Sequence, residues 1–343
     1  MPVVKKAPMK RSALLLGPLL ALTLAAPVAR ADVAETVEDH ILPGLARFTA
    51  TTATLAAIDS CEPEALQVAW GAAFDAWVGV GHLRLGPVEE EGRVLAIAFW
   101  PDPKGMGQKQ TNALLAKADP AVLEPALMAE QSVAVRGLFG LERLLWPTEA
   151  ATGDYPCALT HAIADDLARM AAEIDAEWRA SFADHLLNPG PSSRYLTLTE
   201  ARQALLTTLI TGLEFNKDAR LGRPLGSFDK PHPERAEAAT SGRSTRNLEL
   251  SLVALRSLAR SLHQPIPRTE AAFDRVLANV AKVDLSQVDD PTMWLKADIL
   301  RQDITAVREA VMAEIAPALG AGVGFNAGLS EKNFLGRGQE LAV

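Results

Sequence analysis

Alternation of apolar and polar residues with a period of two is nearly absent from the 343-residue sequence. Ala and Leu stand where a sheet would need Val, Ile, Thr and Tyr, and Tyr occurs only twice. A sheet-based fold is excluded on that ground. Long hydrophobic runs are also missing. Beyond residue 31 no stretch approaches the roughly 20 apolar residues a membrane helix requires, so no transmembrane span is expected there. Cysteine is scarce, with only Cys61 and Cys157, too far apart for the Cys-x-x-Cys-His pattern that attaches haem.

The familiar enzyme signatures are missing too. Six histidines occur, and none forms the His-Glu-x-x-His pair that places two imidazoles on one metal. A His-x-x-Glu spacing is likewise absent: His40, His82, His161, His185, His232 and His263 are followed at the third place by Pro, Leu, Ala, Asn, Arg and Ile. There is no G-x-S-x-G elbow, and Gly242-Arg243-Ser244 lacks the upstream glycine and the lysine of a phosphate loop.

What is present begins with an export signal. Lys5, Lys6, Lys10 and Arg11 precede an apolar stretch from Ser12 to Val28, which ends in Ala29-Arg30-Ala31 before Asp32. A basic region, a short apolar region and an A-x-A site together predict a signal peptide over residues 1–31, cleaved after Ala31, and a periplasmic mature protein. Cleavage removes five basic residues and no acid. The formal net charge of −8 becomes −13, with 29 bases against 42 acids. So acidic a chain disfavours nucleic acid and anionic membrane surfaces as partners. Two cysteines in an oxidising compartment suggest one disulfide, Cys61 to Cys157, with two unrelated buried thiols as the alternative.

Apolar spacing is helical almost throughout, as at Trp70, Phe74 and Trp77, and at Leu248, Leu252, Leu255, Leu258 and Leu262. The expectation is an all-α fold with helices near 33–59, 63–85, 120–146, 160–187, 198–221, 245–263, 269–282 and 292–318. Asp119-Pro120, Thr199 and Asp290-Pro291 serve as start signals. Eight helices suggest two four-helix-bundle-like domains. The interruption Asn188-Pro189-Gly190-Pro191-Ser192-Ser193 divides them into 32–188 and 194–343.

Three segments are unexplained by bundle packing. Gly79 to Pro87 places His82 and Arg84 among glycines; Phe99 to Gln110 is an aromatic, proline-rich loop with Trp100 and Asp102; and Arg243, Ser244, Arg246 and Asn247 enter a helix. Loops of this composition on a helical scaffold are where sites are built. Glu142, among Leu and Phe, would be costly to bury unpaired and should find an arginine or a metal, unless it lies on a solvated face. Arg243 and Arg246 share a helix face and suit an anion or carboxylate, solvated arginines being the alternative. His82 reads as a core or capping histidine before a ligand.

At these segments the chain resembles the imelysin family of bacterial periplasmic and surface proteins, also classed as a peptidase family. The resemblance rests on His82-x-Arg84-x-Gly86-Pro87, Phe99-Trp100-Pro101-Asp102, Gly137 to Trp146, Ala236-Glu237 with Ser241 to Asn247, and Gly324-Phe325-Asn326. It implies two helical bundle domains with a site at their interface, and a role in iron uptake or iron-regulated envelope physiology. The family's Gly-x-His-x-x-Glu motif would fall on Gly137 to Glu142, where Phe139 replaces the histidine. The run after Gly324-Phe325-Asn326 also departs, continuing Ala-Gly-Leu-Ser where relatives often have acidic residues.

The expectation that follows is a non-catalytic binding or accessory protein. Its cleft would be lined by His82, Arg84, Trp100, Asp102, Glu142, Arg243, Ser244, Arg246 and Asn247, and would hold an anionic group such as a carboxylate or an iron chelate. The partners implied are other envelope iron-uptake proteins or an anionic ligand. The runner-up is a metallopeptidase that draws iron or another divalent metal to His82, Glu142 and Asp102 from distant segments. A third reading is a structural envelope protein working through a protein partner, which a large exposed apolar patch would favour.

Overall fold

The structure, a computed structural model, describes residues 1–3, 31–147 and 153–320. The expected signal peptide and Gly324-Phe325-Asn326 lie largely or wholly outside the described residues. The backbone divides into two units, Met1–Arg30 and Ala31–Val343, and the second carries the fold. Among the described residues there is no strand, only an isolated bridge between Ser227 and Lys230. No described helix is long and apolar enough to cross a membrane.

Helix α1 runs over 33–56 and carries a π-helical segment at Thr36–Ile41. Helix α2 is Pro63–Val80, with its proline in the first turn, where the missing N–H costs nothing. Its predicted stripe is the core: Trp70 and Phe74 are fully buried and Trp77 nearly so. Helix α3 is Met106–Lys117, α4 is Gly137–Leu145 and α5 spans 155–187 with a π segment at Trp178–Phe182. Helix α1 packs against α2 and α5, and α4 packs against α2 and α5. In the second half, α6 spans 198–225 with a π segment at Asn216–Leu221, followed by α7 (Ser244–Leu262), α8 (Pro267–Val280) and α9 (Pro291–Ala318). Helix α7 packs against α6 and α8 on one side, and against α2 and the π segment of α1 on the other.

Several expected elements are corrected. The single helix expected over 120–146 is four pieces: Pro120–Leu123, Pro125–Ala129, Val133–Val135 and α4. Pro125 forces Glu124 to extended backbone (ψ 133°), because a residue before proline clashes in the helical region. Gly137 adopts a positive φ of 61°, and a Cβ there would lie 2.2 Å from the Ala96 carbonyl oxygen. Part of the expected loop after Phe99 is helical. Asp102 accepts hydrogen bonds from the N–H groups of Met106 (2.9 Å) and Gly107 (2.7 Å) and so starts α3. Helix α2 stops at Val80, short of 85, which leaves His82 and Arg84 on a non-helical connection. The cap of α6 is Thr197, not Thr199: its hydroxyl accepts from Glu200 N–H at 3.2 Å, while Glu200 accepts from Leu196 N–H at 2.7 Å.

Candidate functional site

Helix α7 lies against α1 and α2, and polar side chains cross there in three groups. In the first, the π segment of α1 turns His40 inward, where it meets His82 beyond the end of α2, Nε2 to Nε2 at 2.9 Å. His40 Nδ1 lies 3.0 Å from the Ser257 hydroxyl of α7. Both imidazoles are buried, and burial pushes His40 down to about 4 and His82 well below its ordinary value. Both are therefore neutral, and only one of the facing nitrogens can carry the shared proton. His82 Nδ1 is buried with no hydrogen-bond partner. Leaving it as a bare lone pair costs less than leaving an N–H unmade, which favours His82 as the donor to His40.

Beside this pair is Arg84. Its Nε–H donates to the Gly81 carbonyl at 2.9 Å, and among the described residues no carboxylate lies within 4.0 Å of its guanidinium. Burial, then the neighbouring Arg220, pull it down to about 10, with Glu89 and Glu237 opposing from further away. Arg220 is satisfied: its guanidinium grips Glu237 at 2.7 and 3.1 Å, donates to Asn216 Oδ1 at 2.8 Å and stacks over Phe215. Asn247 donates to Glu237 at 3.1 Å, and Asn216 to Ser251 at 3.0 Å. Paired and bonded in this way, buried charges are tolerated.

The second group centres on Glu142, which is 6% exposed and so not on a solvated face. Among the described residues its hydrogen-bond partner is a serine. Glu142 Oε1 accepts from the N–H (3.0 Å) and hydroxyl (2.6 Å) of Ser241, across the seam. Burial raises its carboxyl above the ordinary value, against the pull of those two hydrogen bonds.

The third group is a clasp. Asp75 of α2 receives Arg243, and receives Arg246 at 3.0 and 2.5 Å. Burial alone would raise the Asp75 carboxyl, but the two guanidinium groups hold it below its ordinary value. Arg243 also lies over the rings of Trp70 and Phe74, each centroid 5.5 Å away. The two arginines expected to receive an external anion are thus occupied by an internal carboxylate.

The remaining expected residues are dispersed. Ser244 is buried and opens α7, and Asn247 belongs to the Glu237 network with its Oδ1 unpartnered. Trp100 stands edge-to-face on Phe215 at 5.9 Å, which attaches it to the Arg220 side of the seam. Asp102 is engaged in capping α3, with Arg143 at 3.9 Å. The seam residues given no role in the sequence reading are His40, Asp75, Asn216, Arg220, Glu237 and Ser241. Asp75 carried a usable signal, since it is an acid inside the apolar run Trp70 to Trp77.

The segment Gly137 to Glu142 does not fit a metal. Phe139 offers no donor and packs edge-to-face on Phe74 at 5.5 Å. Glu142 and Asp102 already accept hydrogen bonds, and they form no three-donor group with His82.

A family model described as imelysin, peptidase M75, matches residues 46–290. Among solved structures, an imelysin-like protein from Psychrobacter arcticum 273-4 is 21% identical, with a TM-score of 0.72 over 85% of this chain and 96% of that one. A protein named as an iron-regulated protein A precursor, from Parabacteroides distasonis ATCC 8503, is 12% identical, with a TM-score of 0.54 over 81% of this chain and 93% of that one. No curated protein matches the sequence.

Proposed function

The chain belongs to the imelysin family, and from that premise we propose that it is a non-catalytic binding or accessory protein of the periplasm, freed of residues 1–31 and linked to iron uptake. Its site lies between two helical domains, 32–188 and 194–343, and receives an anionic group such as a carboxylate or an iron chelate. The iron link rests on the name of the Parabacteroides relative, and the location on the pattern Lys5 to Ala31.

The observation that carries the binding reading is Arg84. Arg84 is half-buried with no ion-pair partner among the described residues, and a ligand carboxylate would supply the missing charge. The neutral His82 beside it has an unpartnered Nδ1 lone pair, which suits a ligand hydroxyl and not a second carboxylate oxygen. Loss of the motif histidine to Phe139 weighs against peptidase chemistry in this chain.

The test is calorimetric titration of the purified protein with citrate and with ferric citrate. Binding is expected for at least one probe, and Arg84→Gln should weaken it by about 10- to 100-fold, the worth of about 1.5–3 kcal/mol for a charged hydrogen bond. Absence of binding by the wild type, or equal binding by Arg84→Gln, would sink the reading.

A further inference from the structure

Cys61 and Cys157 are joined in a disulfide with Cα atoms 5.7 Å apart. The bond ties the irregular, exposed segment before α2 to the first turn of α5. One helical turn beyond Cys157, on the same face of α5, stands His161. A ring nitrogen of His161 and both sulfurs all lie within 4.8 Å of one another, the one group of three metal-type donors among the described residues. His161 Nε2 is buried and has no hydrogen-bond partner. The disulfide form leaves that buried nitrogen without a partner.

We propose that Cys61, Cys157 and His161 form a redox-gated site for a thiophilic metal ion, of the Zn2+ or Cu+ type, which the protein holds only when the disulfide is reduced. Two thiolates and an imidazole are the donor set such ions select. Reduction by a dithiol breaks the S–S bond, gives two thiols, and leaves the reductant as a disulfide. Binding of Zn2+ then displaces the two thiol protons, so a neutral Zn(thiolate)2 unit accepts the His161 lone pair and leaves a fourth position for water. Metal–sulfur bonds of about 2.3 Å place the two sulfurs further apart than a disulfide does. The chain can accommodate this, because Cys61 is exposed and outside any helix, whereas Cys157 and His161 are fixed on α5. Asp165, one turn beyond His161, interacts with it electrostatically. The metal would restore the same cross-link that reduction removes. No residue of this site is shared with the Arg84 seam.

The test compares the oxidised protein with protein reduced by a phosphine and freed of it under argon. Each is titrated with Co2+, whose visible bands report tetrahedral thiolate ligation, and then with Zn2+ as competitor. The reduced form should bind one equivalent, the oxidised form none, and Zn2+ should displace the Co2+. His161→Ala, which keeps both cysteines and can still form the disulfide, should weaken binding in the reduced form more than about tenfold. Circular dichroism runs alongside, because the reduced form must be folded for the site to exist. The proposal is overturned by equal Co2+ bands in the oxidised form, by no bands in a folded reduced form, by unchanged affinity in His161→Ala, or by a helix loss on reduction that Zn2+ does not reverse.

Discussion

His40 is held at about 4 by burial, so its imidazole stays neutral in the fold while the unfolded chain protonates it near 6.5. A depressed histidine contributes stability that is complete above pH 6.5 and is lost as the pH falls towards 4, because only the unfolded chain gains the proton in that window. The shift corresponds to about 3 kcal/mol at 1.36 kcal/mol per unit. Urea unfolding between pH 7 and 4 should show this loss, and His40→Gln should flatten the curve while costing stability at pH 7. Glu142 has the opposite sign. Its raised carboxyl favours the fold while protonated, and that contribution fades as the pH rises through its folded value. Glu142→Gln keeps an oxygen for Ser241 and removes the buried charge, so its melting temperature should exceed the wild type at pH 7, with the gain shrinking at pH 4. An equal or lower value at pH 7 would contradict this. Glu142 was conspicuous in the sequence as an acid among Leu and Phe, yet its partner was not, since Ser241 is 99 residues away. The Arg243 and Arg246 pair was also visible, but nothing in its spacing told that Asp75 already fills it.

The helices that were legible are those with a long apolar stripe, because a period near 3.6 is printed in the residues themselves: α1, α2, α5, α6, α7, α8 and α9. Helix α3 carries little such signal, with only Gly107 and Thr111 buried, and it is started by a side chain four residues earlier. The segment 120–146 misled for the reverse reason. Its apolar content is high, but Pro125 and Gly137 break it, and the break at Gly137 depends on a neighbour. Glycine stands there because its φ is positive and the Ala96 carbonyl closes off the Cβ position. Gly137→Ala should therefore destabilise by more than about 2 kcal/mol, combining backbone strain with a steric clash, whereas Gly79→Ala, inside α2 with open space at its Cβ, should be neutral or stabilising. Comparing the two melting temperatures distinguishes this contact from a general loss of glycine flexibility. A Gly137→Ala protein as stable as the wild type would refute it.

Across the whole molecule, the amino-acid pattern announced the apolar faces of the helices but not the polar contacts between them. Residues 31–343 form one compact unit around a continuous apolar core, and a few polar pairs join residues far apart in sequence: His40 to Ser257, Glu142 to Ser241, and Asp75 to Arg243 and Arg246. Periodicity reports which face of a helix is apolar, and says nothing about a few charges that pair across two such faces. Tryptophan distribution makes the consequence measurable. Five of the six tryptophans, Trp70, Trp77, Trp100, Trp146 and Trp178, precede Asn188, and only Trp294 follows it. Asp75→Ala leaves Arg243 above Trp70 and Phe74 without its carboxylate, in a side chain only 14% exposed. Removing one partner of a buried pair costs about 3–5 kcal/mol, reduced here to about 2–3 because Arg246 is largely exposed and can turn to water. That cost falls on the contact between α2 and the start of α7. In the wild type, circular dichroism, which reports all the helices, and tryptophan fluorescence, which reports mainly the residues before Asn188, should unfold together in urea. In Asp75→Ala the two curves should separate, the halves having lost their strongest charged link. Curves that stay superimposed and merely shift to lower urea would show that the apolar contact of α7 with α1 and α2 is enough to hold the halves as one cooperative unit.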